Sequence, residues 1–293
     1  MPPGNPTSTS TLDPASPPAF KLAMIQMRVA GGRKAENLAR AAALTAEAAA
    51  AGARVALLPE ALSLGWTHPA AAAEADAVPE GESCLALRGL AREHGLYVCG
   101  GIVERAGGRV YNSAVLIDPA GSVLLCHRKL NELEIGHDFY ALGDRLAVAA
   151  TPWGRFGLMI CADAFARGQV IARTLGLMGA GIILSPCAWA VPADHDNTRE
   201  PYGKLWRDNY GPVARDFRLW IVGVSNVGWL TAGPWQGRKC IGCSLLVGPD
   251  GEARLTGPYG EDAETILYAE VRPEPRPAQG DGWPRLWQGR DMA

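Results

Sequence analysis

No apolar run in the sequence approaches the ~18–20 residues that a membrane-spanning helix requires. The first 18 residues, MPPGNPTSTSTLDPASPP, also lack the basic and apolar regions of a secretory signal peptide. Their proline, serine and threonine content is typical of a disordered tail. We therefore expect a tail over residues 1–18 and no partnership with a membrane.

An excess of charge of one sign is also missing, because the formal net charge is -2 at pH 7. This near balance argues against a nucleic acid as a partner. The phosphate-binding patterns GxGxxG and GxxxxGK[ST] are absent, and the single CxxC at residues 240–243 has no second pair and no suitably spaced histidine. We therefore predict no cofactor and no metal site.

Cysteine is sparse: the chain of 293 residues has seven, an odd number scattered along its length. Such a pattern does not indicate the disulfide framework of a small secreted domain. A hydrophobic share of 48% and a charged share of 20% are those of a soluble globular protein. A reducing, cytoplasmic location suits this composition best.

Short apolar runs alternate with helical patterns in the first half of the chain, and the second half repeats this order. A strand, a helix and a second strand in succession predict two parallel strands of one sheet. The predicted strands are residues 20–27, 55–58, 97–104, 110–117, 122–128, 156–160, 182–185, 220–225, 241–247, 252–255 and 265–271, and the predicted helices are residues 34–51, 83–95, 164–178 and 198–217.

Two segments share a strand–turn–strand pattern, NSAVLIDPAGSVLL at residues 112–125 and GCSLLVGPDGEARL at residues 242–255. This similarity indicates duplicated halves. We therefore predict an α/β fold in which two mixed β-sheets pack face to face with helices on the outside. One domain over residues 19–271 would hold this fold, and residues 272–293, with Trp283 and Trp287, would form an arm that packs on a partner subunit.

Three residues that can do chemistry stand within two positions of the end of a predicted strand: Glu60, Lys129 and Cys161. Ligands of open α/β sheets gather outside the carboxyl ends of the strands, so the three side chains are expected to meet there. A carboxylate that takes a thiol proton, a thiolate that attacks, and an ammonium that stabilises an oxyanion suit acyl transfer. The alternative is an ordinary strand-end carboxylate and a solvated lysine.

Cys161 lies where a strand ends and a helix over residues 164–178 is predicted to begin, with Asp163 as its N-cap. Free backbone N–H groups and the positive end of a helix dipole favour a thiolate. The sequence therefore predicts a thiolate at Cys161. The alternative is a small buried hydrophobic residue, as most free cysteines are.

Three motifs then occur in order: LLPEA around Glu60, HRKL around Lys129 and GLMICAD around Cys161. With them, residues 20–271 resemble the nitrilase superfamily of carbon–nitrogen hydrolases, whose fold is an αββα sandwich. The resemblance implies that Glu60 is the general base, Lys129 the oxyanion stabiliser and Cys161 the nucleophile. It also implies a thioester intermediate, loss of ammonia or an amine, and hydrolysis by a water that Glu60 activates.

The Ala162-Asp163 pair after the nucleophile resembles the amidase-like members, whereas the nitrilases of this superfamily usually have Trp-Glu there. The resemblance thus favours a small amide or N-carbamoyl substrate over a nitrile. It also implies a second glutamate that hydrogen-bonds the lysine. We choose Glu134 for this position, with Glu132 and Asp138 as alternatives.

The backbone N–H near Ala162 is a candidate donor to the oxyanion. Trp66 and Trp189 follow predicted strands and are candidates to wall the substrate pocket, or else core residues. The family habit of pairing sandwiches implies a homodimer or higher homo-oligomer.

Two other functions stay open at this point. One is a binding or scaffold protein of the same fold without catalysis. The other is a thiol hydrolase that uses a histidine as its base; the candidates are His68, His127, His137 and His195.

Overall fold

The computed structural model describes residues 17–275. Most of the predicted tail and most of the predicted arm, including Trp283 and Trp287, lie outside the described residues, so the domain boundaries stay predictions. Within residues 17–275, no helix is long and apolar enough to cross a membrane.

Fifteen strands and five α-helices make up this part of the chain, with three short 3-10 helices. The strands are β1 (Phe20–Gln26), β2 (Val55–Leu57), β3 (Tyr97–Ala106), β4 (Arg109–Ile117), β5 (Val123–Arg128), β6 (Val148–Thr151), β7 (Gly154–Leu158), β8 (Ala180–Cys187), β9 (Ala190–Val191), β10 (Trp220–Ser225), β11 (Val227–Trp229), β12 (Lys239–Ile241), β13 (Leu245–Val247), β14 (Ala253–Thr256) and β15 (Thr265–Val271). The α-helices are α1 (Lys34–Ala50), α2 (Ala71–Glu74), α3 (Glu82–His94), α4 (Val170–Leu177) and α5 (Lys204–Phe217), and the 3-10 helices are Glu134–Gly136, Cys161–Phe165 and Arg167–Gln169.

Two six-stranded sheets form the centre of the molecule, in the orders β15-β1-β2-β3-β4-β5 and β14-β13-β10-β8-β7-β6. One core fills the space between the sheets and extends to α4 and α5 on the far side of the second sheet. A second core joins the outer face of the first sheet to α1 and α3. The predicted αββα sandwich is therefore confirmed.

The two halves of the chain pair their strands in the same way. In the first half β1, β2 and β3 are parallel and are followed by the antiparallel strands β4 and β5. In the second half β7, β8 and β10 are parallel and are followed by the antiparallel strands β13 and β14. Even the irregularities correspond, because the register shifts between Leu116 and Ile117 and between Leu246 and Val247. The predicted duplication is confirmed.

The long helix predicted over residues 164–178 is wrong in its first half. Gly168 and Gln169 have φ values of 71° and 51°, which break the helical path, so α4 begins only at Val170. Asp163 is consequently not the N-cap of an α-helix but lies in the five-residue 3-10 helix Cys161–Phe165.

Two further segments differ from the sequence prediction. The strand predicted over residues 241–247 is divided into β12 and β13, because Gly242 and Cys243 adopt the left-handed region with φ values of 66° and 57°. Helix α5 begins at Lys204 rather than residue 198 and continues through Pro212. The carbonyl that this proline leaves without an intrahelical donor belongs to Asp208, which is exposed, so water can supply the missing hydrogen bond.

A close backbone contact between β3 and the end of β2 sets the position of Glu60. The N–H of Gly101 donates to the carbonyl of Pro59 at 2.9 Å, and the N–H of Leu62 donates to the carbonyl of Gly101 at 2.8 Å. A Cβ atom on Gly101 would lie 2.5 Å from the Cα of Glu60 and 2.8 Å from the N of Ala61. Only glycine therefore allows the Glu60 backbone to pack on β3.

We expect Gly101→Ala to displace the Glu60 segment and to lower both the thermal midpoint and the activity, because the new methyl group meets backbone atoms that cannot rotate away. The matched control is Gly89→Ala inside α3, where an added Cβ would meet nothing within 4 Å. That change should stabilise the protein by about 0.5–1 kcal/mol, since alanine is the better helix former. Thermal unfolding followed by circular dichroism measures both; a Gly101→Ala protein with an unchanged midpoint would contradict the argument.

Candidate active site

Glu60 and Lys129 meet in a buried ion pair, although 69 residues separate them in the chain. The Nζ of Lys129 donates to Oε1 of Glu60 at 2.8 Å, and the two side chains are 2% and 1% exposed. Glu60 follows β2, and Lys129 follows β5, which runs in the same direction as β2 and β3. Their backbones thus leave the first sheet at the same edge, as predicted.

A second carboxylate contacts the same ammonium, and it is Glu132. The Nζ of Lys129 donates to Oε1 of Glu132 at 2.9 Å, and this glutamate is as buried as Glu60. Our choice of Glu134 is wrong, because Glu134 begins a 3-10 helix and is exposed; the alternative Asp138 is also exposed. The segment after Lys129 turns sharply, which brings the residue three positions later back onto the lysine.

The side-chain amide of Asn112, on β4, lies between the two carboxylates. Its Nδ2 donates to Oε1 of Glu60 at 2.6 Å and to Oε2 of Glu132 at 3.0 Å. This asparagine was not among the site residues predicted from the sequence. A signal was present, since asparagine is a polar residue inside a strand that is otherwise apolar on its inner face.

Cys161 occupies a sharp bend directly after β7. It is the first residue of a 3-10 helix, it is 8% exposed, and its φ of 44° lies in the left-handed region that side chains rarely adopt. A non-glycine residue held there costs of the order of 1–3 kcal/mol, which the surrounding structure must supply. Such bends cluster at functional sites because they turn a side chain out of the strand direction.

The expected thiolate at Cys161 is not what the structure supports. Burial, a hydrogen bond with Cys187 and the charge of Glu60 together raise the pKa of the Cys161 thiol well above its ordinary value, against the opposing charge of Lys129. Since no α-helix begins here, there is no full helix dipole to compensate for the burial. Burial thus favours the neutral thiol, which needs a base to become a nucleophile.

Glu60 has the properties of that base. Burial raises the pKa of its carboxyl above the ordinary 4.5, while Lys129 and a hydrogen bond from Asn112 act in the opposite direction. Burial alone would lower the pKa of Lys129, but Glu60 and Glu132 raise it well above 10.5, so the ammonium stays charged. The second oxygen of Glu60, Oε2, is buried and has no hydrogen-bond partner among residues 17–275.

Asp163 connects the segment of the cysteine to the segment of the lysine. Its Oδ1 accepts the N–H groups of Leu130 and Asn131, and its Oδ2 accepts the N–H of Ile160 and lies 2.8 Å from Nε2 of His127. Burial alone would raise the pKa of Asp163, but these hydrogen bonds and His127 hold it below its usual range. The residue predicted as a helix cap therefore ties the two functional segments together.

The two tryptophans predicted to wall the pocket have different neighbours. The Trp66 ring centroid is 5.7 Å from Nζ of Lys129. Trp189 stacks on Trp206 with ring centroids 4.5 Å apart and packs against Tyr202. The Nε1 atoms of both Trp66 and Trp189 are buried without a hydrogen-bond partner among the described residues. The carbonyl of Ala162 accepts a hydrogen bond from Nδ2 of Asn131 at 2.6 Å, which fixes the peptide plane between Ala162 and Asp163.

The four histidines considered as alternative bases make their contacts with other groups. His127 pairs with Asp163, the Nδ1 of His68 accepts the N–H of Ala70, His195 packs on Tyr259, and His137 is exposed. Within residues 17–275, none of them hydrogen-bonds to Cys161. The arrangement of side chains around the thiol thus favours Glu60 as its base.

Comparison with known proteins identifies the family of the chain. A family model described as carbon–nitrogen hydrolase matches residues 21–276. Omega-amidase NIT2 of Bos taurus is 33% identical over 266 residues, which cover 86% of this chain and 88% of that protein. A nitrilase of Pyrococcus abyssi is 30% identical over 255 residues, covering 86% of this chain and 89% of that protein.

The fold also matches that of Saccharomyces cerevisiae Nit3, described as a member of branch 10 of the nitrilase superfamily. That match has a TM-score of 0.72 at 22% identity and covers 87% of this chain and 90% of the other. Since the family model spans most of the chain and the bovine relative is 33% identical over 86% of it, this protein belongs to the carbon–nitrogen hydrolase family.

Proposed function

We propose that this protein is a cysteine amidohydrolase that cleaves the C–N bond of a small amide or N-carbamoyl compound through a thioester. The observation that supports this most directly is the Lys129 ammonium, which is buried between Glu60 and Glu132 and close enough to Cys161 to interact with it electrostatically. Such a group is a fixed positive charge in a site with little water, where it stabilises a developing oxyanion far better than in solution.

In the first half of the reaction, Oε2 of Glu60 takes the thiol proton while the sulfur of Cys161 attacks the carbonyl carbon. The negative charge moves to the carbonyl oxygen, where Nζ of Lys129 and the backbone N–H of Ala162 stabilise it. The tetrahedral intermediate then collapses: the C–N bond breaks, and Glu60 returns its proton to the leaving nitrogen. A thioester and free ammonia or amine result.

In the second half, Glu60 takes a proton from a water molecule whose oxygen attacks the thioester. The same donors stabilise the second oxyanion, the C–S bond breaks, and the proton on Glu60 returns to the sulfur. The acid product leaves and the thiol is restored. Each proton that Glu60 takes is given back within one turnover, so no cofactor is required.

The substrate class is inferred from the Ala162-Asp163 pair and from the relatives. The relatives include omega-amidases. A mutant of the amidase from Nesterenkonia sp., which shares the fold at 20% identity, shows covalent addition of the acetamide moiety of fluoroacetamide at its active-site cysteine. Nitrile hydrolysis is the alternative that the Pyrococcus relative suggests. Trp66 and Trp189 would wall the pocket and offer their free N–H groups to the substrate. A cytoplasmic location and a homo-oligomeric state are proposed with this function.

Cys161→Ala should abolish ammonia release from every amide tested while the protein keeps its fold, because the nucleophile is lost without adding volume. With the unmodified protein, mass spectrometry after an acid quench should find one acyl group on Cys161. A screen over primary amides, N-carbamoyl amines and nitriles identifies the class. Full turnover by the alanine variant would exclude the mechanism, and a silent unmodified protein would favour the scaffold alternative.

The pH dependence of kcat/KM should follow the raised pKa of Glu60. The carboxylate must be ionised to take the thiol proton, so activity should fall as the pH drops through a pKa above 4.5. The effect on stability has the opposite sign: the folded state binds this proton more tightly, so the free energy of unfolding decreases as the pH rises through the same window.

A matched control for this profile is Glu104→Gln. Burial alone would raise the pKa of Glu104, but hydrogen bonds from Arg128 and Ser113 hold it below 4.5. Its removal should therefore leave the acid limb of kcat/KM where it is. An acid limb at or below the ordinary carboxyl pKa in the unmodified protein would count against Glu60 as the base.

The assignment of Glu132, rather than Glu134, as the second glutamate at Lys129 can be tested by one pair of variants. Glu132→Gln leaves the Lys129 ammonium with a single buried anion and should lower kcat/KM by at least ~10-fold, about 1.4 kcal/mol in transition-state stabilisation. Glu134→Gln alters an exposed side chain and should change kcat/KM by less than about twofold. Steady-state kinetics on the best amide decides, and equal effects of the two changes would reject the assignment.

A further inference from the structure

Asn112 is a neutral residue that hydrogen-bonds to three residues of the site, Glu60, Glu132 and Lys129. It lies on β4, is 1% exposed, and faces the space between the two sheets, on the side of its strand that Ala114 and Leu116 also share. Its carbonyl accepts the backbone N–H of Lys129 at 2.9 Å. Its side chain reaches both Glu60 and Glu132.

The chemistry of the three side chains fixes the orientation of the amide. Ionised carboxylates only accept hydrogen bonds, so the group that faces both of them must be the NH₂ of the asparagine. Both of its hydrogens are used, one on Oε1 of Glu60 and one on Oε2 of Glu132. The Oδ1 atom then points away from the carboxylates, and it has no partner among the described residues.

Together with Lys129 this amide closes a ring of hydrogen bonds around two buried anions. Lys129 donates to Oε1 of each glutamate, and Asn112 donates to Oε1 of Glu60 and Oε2 of Glu132. One ammonium alone leaves two carboxylates with a surplus negative charge in a medium of low dielectric constant. A neutral donor to each reduces that penalty without adding a charge.

The ring also makes the two oxygens of Glu60 different. Oε1 accepts from both Lys129 and Asn112, while Oε2 accepts from no described residue. A proton goes most readily to the oxygen whose lone pairs are free. The contacts on Oε1 also prevent the carboxylate from rotating, so Oε2 stays in one direction.

We propose that Asn112 is a positioning residue of the reaction: its amide keeps Glu60 ionised at neutral pH and reserves Oε2 for the proton of Cys161. This inference rests on the proposed function, in which Glu60 is the base. Without the amide, the ionised form of Glu60 loses a hydrogen bond and its pKa rises further. The free carboxylate can also turn, so that proton transfer becomes slower even where Glu60 is ionised.

The test compares Asn112→Leu, which keeps the approximate shape and removes both donors, with Ser113→Ala. Ser113 is the next residue on the same strand, is equally buried, and donates to Oε2 of Glu104 at 2.6 Å on the opposite face. Asn112→Leu removes two buried hydrogen bonds to carboxylates and Ser113→Ala removes one. A merely structural role therefore predicts a loss of thermal stability for both variants and a change in pH dependence for neither.

For Asn112→Leu we expect the acid limb of kcat/KM to move up by about one pH unit, the size of shift that one hydrogen bond to a buried carboxylate produces. We also expect kcat to fall by at least ~10-fold with KM changed by less than about twofold, since the interaction acts on proton transfer rather than on binding. Ser113→Ala should keep the acid limb of the unmodified protein.

A second readout does not depend on the substrate. The rate of alkylation of Cys161 by iodoacetamide, measured against pH and located by mass spectrometry, reports the transfer of the thiol proton to its base. It should show the same upward shift in Asn112→Leu. If that variant does not fold, Asn112→Asp replaces it: the isosteric carboxyl exchanges donors for a third acid and should shift both profiles in the same direction.

Unshifted profiles, in either variant that folds, would overturn the proposal and leave Asn112 a structural residue. The failure of the proposed function looks different. In that case the unmodified protein releases no ammonia from amides, while the alkylation profile of the folded variant still moves and supports the positioning role for Asn112.

Discussion

The site depends on one interaction, the ion pairing of the buried Lys129 ammonium with the two carboxylates of Glu60 and Glu132. Two anions and one cation can share a dry space only if every charge is hydrogen-bonded, since each unpaired ion there would cost several kcal/mol. The structure meets this condition with Nζ of Lys129 on both glutamates and with Asn112 on Oε1 of Glu60 and Oε2 of Glu132, while Oε2 of Glu60 has no partner among the described residues. Because each of the four side chains contacts two of the others, a change in one member alters the environment of the rest.

The duplicated sandwich explains how such a group is assembled from distant segments. The second strand of each half ends in the same way, with Leu58-Pro59-Glu60 after β2 and Ser185-Pro186-Cys187 at the end of β8. The two ends touch, because the N–H of Glu60 donates to the carbonyl of Cys187 at 3.2 Å. A symmetric framework thus supplies a rigid edge, and single residues at corresponding positions make it chemically asymmetric.

Much of this could be predicted from the sequence, because buried strands are short apolar runs and Glu60, Lys129 and Cys161 stand directly after them. The errors fall where the backbone is irregular. Glu132 and Glu134 are both near Lys129 in sequence. Only the turn that follows Lys129 decides which of the two side chains points inward. The segment after Cys161 has the composition of a helix, but Gly168 and Gln169 adopt left-handed φ values that no periodicity reveals.

Asn112 escaped notice for another reason: its role lies in contacts with residues that are distant in the chain. The same holds for Asp163. Its position after a strand predicts a helix cap, but its partners in the structure are His127 and the backbone beside Lys129. Local sequence patterns report the backbone conformation that a residue prefers. They do not report which buried polar group, from another segment, it must satisfy.

Burial at this site raises a difficulty that the pairing of acid and base resolves. In water the pKa values of a cysteine and a glutamate differ by about four units, so the thiol would seldom give up its proton. Desolvation raises the pKa of both Cys161 and Glu60, so much of its effect cancels in the transfer of a proton from one to the other. Lys129 stabilises whichever of the two carries the negative charge, and the hydrogen bond from Asn112 favours the charge on Glu60. Burial therefore opposes the formation of a new charge in the site. It opposes much less the transfer of an existing negative charge from Glu60 to Cys161, so proton transfer between them stays feasible.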